Sequence, residues 1–261
     1  MTMTRPDMPT RQDCDPPDLP GNAALFLDFD GCLVEIALRP DAIHVPPDLP
    51  GRLARLHERL GGAVALISGR DIADLRRHLP DFPGAIAGSH GAELSLDGRR
   101  IEAVHDAAID LAALHAAARN LAAPYPALLV EAKPHGVSLH YRADPALRGF
   151  AEDAMARLAG DFPGMALQPA KMAMELRPAG IGKGGALARL MGLNAFAGRM
   201  PVYAGDDLTD EPAMAEAQAR GGIGIKIGGI KIGAGETVAR YRLPDPAALA
   251  SWLDRAPEDG E

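Results

Sequence analysis

Two aspartates stand two residues apart in "LFLDFDGCLV" (residues 25–34), at the end of an apolar run. A buried carboxylate is costly unless it is paired or holds a metal, so Asp28 and Asp30 need a chemical reason. In a strand, residues i and i+2 share a face, which aims both acids at one spot just past the strand. Gly31 then lets the backbone turn sharply and approach a ligand. A solvated turn at a strand end would show the same D-x-D, so the pair alone carries little weight. In "LISGR", Ser68 ends an apolar run and precedes a helical pattern. Its hydroxyl and nearby N–H groups there suit an anion, although a plain helix cap uses serine in the same way. "GIGKGGALARL" sets Lys183 in a glycine-rich lead-in to a helix, where an ammonium can neutralise a phosphate. The spacing is not that of a P-loop, so no nucleotide site is implied. "VYAGDDLTDE" gathers Asp206, Asp207, Asp210 and Glu211 behind an apolar strand. Asp210 and Glu211 suit a helix N-terminus with Thr209 as its cap. That leaves Asp206 and Asp207 unexplained, and several carboxylates with no arginine among them suit a hard cation, Mg²⁺.

These residues need elements to hold them. "AALFLDFDG", "AVALISGR", "GAIAG" and "MPVYAGDD" read as strands, separated by helical patterns such as "PDLPGRLARLHERLG", "DIADLRRHL", "KGGALARLMG" and "TDEPAMAEAQA". Strand–helix alternation predicts an α/β fold with a doubly wound, Rossmann-like parallel sheet. Such sheets place their chemistry at the carboxyl ends of strands, where Asp28, Ser68 and Asp206 fall. The middle of the chain has another character: helix ("DAAIDLAALHAAARNLAA"), hairpin ("ALLVEAKPHGVSLHYR", turning at "KPHG"), helix ("DPALRGFAEDAMARLAG") and a returning strand. The expected layout is a flexible tail over 1–21, a core over 22–103 and 175–254, an inserted α+β cap over 104–174 and a tail over 255–261. In the hairpin, Val137, Leu139 and Tyr141 share one face and Ser138, His140 and Arg142 the other, while Glu131 and Lys133 alternate with Val130 and Ala132. A half-solvated antiparallel sheet needs the same alternation.

The whole chain bounds the function class. With 261 residues, 47% hydrophobic and 24% charged, it has ample material for a globular core. A net charge of −8 argues against a general nucleic-acid or membrane-surface binder. Cys14 and Cys32 are too few and too unlike in setting for a disulfide framework or a zinc cluster. No apolar run reaches membrane-spanning length, and "MTMTRPDMPTRQDCDPPDLPGN" lacks the apolar segment of a signal peptide, so a cytoplasmic protein is expected.

In order, the motifs are strand–DxD, strand–Ser, Lys at a helix start, and strand–GDD. This order resembles the haloacid dehalogenase superfamily of aspartate-dependent phosphatases. The longer phrases "LDFDGCLVEIALRPDAIHVPPDL", "ISGR", "GSHGAEL", "ELRPAGIGKGGAL" and "AGDDLTDEPAM" are similar to the trehalose-6-phosphate phosphatase family, over about residues 22–253. One departure is Cys32, where that family usually has Thr. The resemblance implies that Asp28 attacks phosphorus and that Asp30 protonates the leaving oxygen and then activates water. It also implies Mg²⁺ on Asp28, the carbonyl of Asp30 and Asp206, with Ser68 and Lys183 on the phosphoryl oxygens. Asp207 and Asp210 would support these groups from behind, Asp207 by holding Lys183. The cap would select a small-molecule sugar phosphate through Glu131, Lys133, Arg142 and Glu175. Other readings are a phosphatase of a sucrose-phosphate-like or mannosylglycerate-type substrate, a phosphoryl receiver and a non-hydrolytic sugar-phosphate sensor. A receiver needs no second acid and no cap. Residues 224–228 and 229–233 repeat "GIKIG" in tandem. The odd period inverts strand parity, so one copy is expected in the core sheet and the other in a loop after it.

Overall fold

The computed structural model describes residues 15–36, 42–96, 99–101, 109–170, 172–228 and 237–255. In chain order its elements are β1 (Ala23–Leu27), α1 (Leu49–Arg59), β2 (Val64–Ile67), α2 (Ile72–His78), β3 (Ala85–Gly88), β4 (Glu93–Leu96), β5 (Arg99–Ile101), α3 (Leu111–Ala122), β6 (Leu129–Lys133) and β7 (Gly136–His140). They continue with α4 (Arg148–Asp161), β8 (Met165–Ala170), β9 (Ala173–Pro178), α5 (Lys183–Met191), β10 (Met200–Gly205), α6 (Glu211–Ala219), β11 (Ile223–Ile227), β12 (Tyr241–Leu243) and α7 (Pro246–Leu253). Two compact units result. One holds the chain up to Leu66, Asp81–Gly84 and everything from Leu187 onward; the other holds Ile67–Pro80 and Ala85–Ala186.

The first unit carries parallel strands in the order β12-β11-β10-β1-β2. Every residue of β1 is buried, as is β10 after its first residue. That is why both read as continuous apolar runs rather than alternating ones. Phe26 of β1 stacks on Phe196 at 5.4 Å, and α6 packs on β10 and β11. The tail expected over 1–21 is anchored at its end. Leu19 is buried, and the carbonyl of Pro17 accepts from the indole N–H of fully buried Trp252 at 2.9 Å. A bidentate Arg52–Asp254 pair, 2.9 and 2.8 Å, ties α1 to the end of α7. The first GIKIG copy lies in β11 and its following glycine; the second lies outside the described residues.

The second unit carries the antiparallel run β3-β4-β5 and a separate antiparallel sheet, β6-β7-β9-β8. Helices α3 and α4 pack on that sheet through Leu114, Ala118, Met155 and Leu158, against Val137, Leu139, Met174 and Leu176. The opposite face carries the row Glu131–Ser138–Glu175–Gln168 in register across the four strands. The hairpin alternation is thus realised as read, up to His140. Arg142, expected to extend the polar face, lies beyond β7 in an exposed turn. The expected boundary at 174/175 falls inside β9, because this strand pairs with both β7 and β8. Among the described residues no helix is long and apolar enough to cross a membrane.

Candidate active site

In the first unit three carboxylates meet. Asp28 follows β1, and its N–H continues the parallel ladder by donating to the Ala204 carbonyl at 3.0 Å. Asp206 follows β10, and Asp210 closes the single 3-10 turn Leu208–Asp210. One oxygen from each of Asp28, Asp206 and Asp210 lies within 4.8 Å of the others; Asp28 and Asp210 are buried. Two glycines make the room. A Cβ on Gly31 would stand 2.3 Å from Cγ of Asp206, and one on Gly205 would stand 2.3 Å from Cγ of Asp210. Gly31 also has φ +76°, a conformation that suits glycine. The turn after Asp28 closes through Gly31 N–H to the Val34 carbonyl (2.8 Å) and Leu33 N–H to the Phe29 carbonyl (3.0 Å). Cys32 is fully buried there, and its thiol donates to the Ala204 carbonyl at 3.3 Å. Asp30 is half-buried on that turn, bridged to Val34.

Sequence reasoning set Asp210 behind the cation site; the structure puts its carboxylate in the cluster with Asp28 and Asp206. Both its oxygens are also held, one by the Tyr203 hydroxyl at 2.5 Å and one by the Asp207 N–H at 2.9 Å. Burial, and then the charges of Asp210 and Asp28, push the Tyr203 phenol well above its ordinary pKa, so it remains a proton-bearing donor. The cap of the 3-10 turn is Asp207, not Thr209: the Asp207 carboxylate accepts from Leu208 N–H at 2.8 Å. Lys226 donates to the Asp207 backbone carbonyl at 3.1 Å and to Glu211 at 3.1 Å. Glu211 further accepts from the Thr237 hydroxyl at 2.9 Å and Val238 N–H at 2.8 Å.

Ser68 and Lys183 belong to the second unit, and both are buried. Ser68 is not the cap of α2. Asp71 caps that helix by accepting from Asp74 N–H at 2.6 Å, and Glu93 takes the Ile72 N–H at 2.9 Å. Those helix N–H groups are therefore engaged, and the anion reading at Ser68 rests on its own hydroxyl, which accepts from Arg70 N–H at 3.2 Å. Lys183 begins α5 at 3% exposure.

On the polar face of the small sheet, Lys133 donates to Glu175 at 3.2 Å, and the His90 imidazole stands 3.7 Å from the same carboxylate. Burial opposes ionisation of Glu175, but His90 and the Lys133 charge outweigh it and bring the carboxyl down to about 2. Burial conversely lowers the pKa of His90, against the pull of Glu175 and with the help of the Lys183 and Arg177 charges. The His90 imidazole and then the Lys133 charge thus both favour the ionised form of Glu175. Glu131 pairs with His140 at 2.8 Å, which holds its carboxyl below the ordinary value against burial. A further pair, His135 with buried Glu93 at 2.9 Å, joins the β6–β7 turn to β4.

Sequence reasoning passed over Tyr203, Lys226, His90 and Glu93. A phenol inside a buried strand and a lysine between isoleucines were available signals, since each needs a polar partner when buried. His90 sits at φ +57° and is buried, which no local pattern in "GSHGAE" discloses.

The α/β fold that carries this strand-end aspartate cluster is haloacid-dehalogenase-like. A haloacid dehalogenase-like hydrolase from Bacteroides thetaiotaomicron shares the fold, with TM-score 0.62 over 88% of this chain and 97% of that one at 18% identity. So does the C-terminal domain of Candida albicans trehalose-6-phosphate phosphatase, with TM-score 0.76 over 91% and 96% at 22% identity. The family described as trehalose-phosphatase matches residues 26–247, and the chain belongs to that family. It is 43% identical over 216 residues to a probable trehalose-phosphate phosphatase of Sinorhizobium fredii, covering 79% of this chain and 78% of that protein. It is 36% identical over 238 residues to the trehalose-6-phosphate phosphatase of Escherichia coli, covering 91% and 88%. The protein is accordingly a phosphatase.

Proposed function

We propose that the protein hydrolyses trehalose 6-phosphate to trehalose and phosphate in the cytoplasm, as the last step of trehalose formation. The observation that carries this reading is the meeting of Asp28, Asp206 and Asp210 beyond β1 and β10 in a chain of the trehalose-phosphatase family. Asp28 attacks phosphorus and the P–O bond to the sugar breaks, leaving an aspartyl-phosphate. Asp30 gives its proton to the departing sugar oxygen. It then takes one from the water that cleaves the aspartyl-phosphate, which restores both acids. Ser68 and Lys183, both buried, keep the phosphoryl-binding roles that the family resemblance implies.

The donor set fits Mg²⁺. Three carboxylates, two of them buried, crowd within 4.8 Å, and hard oxygen donors of this kind match a small divalent cation. Asp28, Asp206 and Asp210, with the Asp30 carbonyl that the family resemblance implies, would hold it, directly or through water, and its charge would offset the negative charge of the transferring phosphoryl group. Substrate choice is assigned to the polar face of the small sheet. Lys133, Glu175 and Glu131 offer fixed donors and acceptors there for sugar hydroxyls, with Arg142 contributing from its turn.

The test is a panel of trehalose 6-phosphate, sucrose 6-phosphate, a mannosylglycerate phosphate and glucose 6-phosphate, assayed for phosphate release with Mg²⁺ and with a chelator. Fast, metal-dependent release from trehalose 6-phosphate alone is expected. Preference for another member of the panel would overturn the substrate, and full activity in chelator would overturn the metal.

A further inference from the structure

We infer that Tyr203 is a positioning residue for the divalent-cation site, acting through Asp210; the inference rests on the Mg²⁺ reading above. Tyr203 lies in the middle of β10 and is fully buried. A phenylalanine would fill such a place without the cost of desolvating a hydroxyl, so packing alone does not account for the phenol. Its hydroxyl donates to Asp210 Oδ1 at 2.5 Å, the range of a charge-assisted O–H···O⁻ bond. The other oxygen, Oδ2, takes the Asp207 N–H at 2.9 Å. Gly205 leaves the room this carboxylate occupies, since a Cβ there would stand 2.3 Å from Cγ of Asp210. Asp210 itself has no exposed surface. Two donors thus orient a carboxylate that stands close to the negative charges of Asp28 and Asp206. Of these two donors the phenol is the one supplied by a side chain, so it can be removed without disturbing the backbone.

The experiment is calorimetric titration of Mg²⁺ into metal-free protein, without substrate, for wild type, Tyr203→Phe, Asp210→Ala and the double variant. Melting temperatures check that each is folded. Tyr203→Phe should weaken Mg²⁺ binding about 10- to 100-fold, the usual effect of removing a partner that orients a metal ligand. In the Asp210→Ala background the same change should do almost nothing, because the phenol then has no carboxylate to orient. In turnover, the Mg²⁺ concentration for half-maximal rate should rise while kcat at saturating Mg²⁺ and KM for the sugar phosphate return close to wild type. Unchanged or tighter Mg²⁺ binding in Tyr203→Phe overturns the inference, and so does an equal loss in both backgrounds. Wild-type protein that takes up no Mg²⁺ overturns the metal reading and this inference with it.

Discussion

Replacing Gly31 by alanine separates two demands that the acidic site makes on one residue. The first is backbone conformation: at φ +76° an L-residue is disfavoured by about 1–2 kcal/mol. The second is space. The new Cβ would lie 2.3 Å from Cγ and 2.3 Å from Oδ2 of Asp206, whereas carbon atoms pack at about 3.5–4.0 Å. The carboxylate must therefore retreat by more than about 1 Å, well beyond the roughly 0.5 Å that a working constellation tolerates. Gly198 supplies the control. It belongs to the same unit and has φ +75°, yet a Cβ there meets nothing within 4 Å. Gly198→Ala should cost only the backbone term, a melting shift of about 2–8 °C for a chain of this size, with Mg²⁺ affinity and turnover intact. Gly31→Ala should show that shift plus a loss of Mg²⁺ affinity of at least about tenfold and a matching fall in phosphate release at low Mg²⁺. Differential scanning calorimetry, Mg²⁺ titration and a phosphate assay on the two purified variants read all three quantities. If Gly31→Ala binds Mg²⁺ and turns over as Gly198→Ala does, the argument that Asp206 occupies the missing side chain's place is wrong.

Other outcomes follow from the same geometry. Asp28→Asn should abolish phosphate release, whereas Asp30→Asn should slow it by roughly 10²–10⁴-fold; near-normal turnover of Asp28→Asn would remove it as nucleophile. Lys133→Ala should raise KM for trehalose 6-phosphate while sparing p-nitrophenyl phosphate, because it takes away the charge that faces Glu175 at 3.2 Å; equal losses on both substrates would point to a folding defect. The Glu175 carboxyl stands at about 2 in the folded chain against an ordinary 4.5. Its ionised form therefore contributes stability that is complete above about pH 4.5 and is lost as pH falls towards 2. Acid unfolding followed by circular dichroism should accordingly be shallower in Glu175→Gln over that window. Deleting residues 229–233 leaves one intact GIKIG and hence Lys226 with its bonds to Asp207 and Glu211, so melting temperature and turnover should stay close to wild type. Lys226→Met, which leaves both acceptors without that donor, should cost about 1.5–3 kcal/mol, read by denaturant unfolding.

The parts of this protein that were legible in its sequence are those set by local periodicity. The apolar runs of β1 and β10 specified strands buried on both faces, and the acids that ended those runs had to emerge at the strand ends. Alternation in the β6–β7 hairpin named its polar face residue by residue as far as His140. What the sequence left open was partnership. Period two says which way Tyr203 points but not that its hydroxyl meets Asp210, a residue in a different element. A lysine between isoleucines announces a need for an acceptor without naming Asp207 and Glu211. Glu93 and His135 are 42 residues apart, and only the packing of the small sheet's turn against β4 joins them. Asp210 is the clearest case: its place in a helix-start pattern suggested a supporting role, and two absent side chains, at Gly31 and Gly205, gave Asp206 and Asp210 room beside Asp28. Backbone preference and hydrophobic burial act on neighbours in the chain and can be read from it, whereas electrostatic and steric partnership is decided by which distant segments the finished core brings into contact.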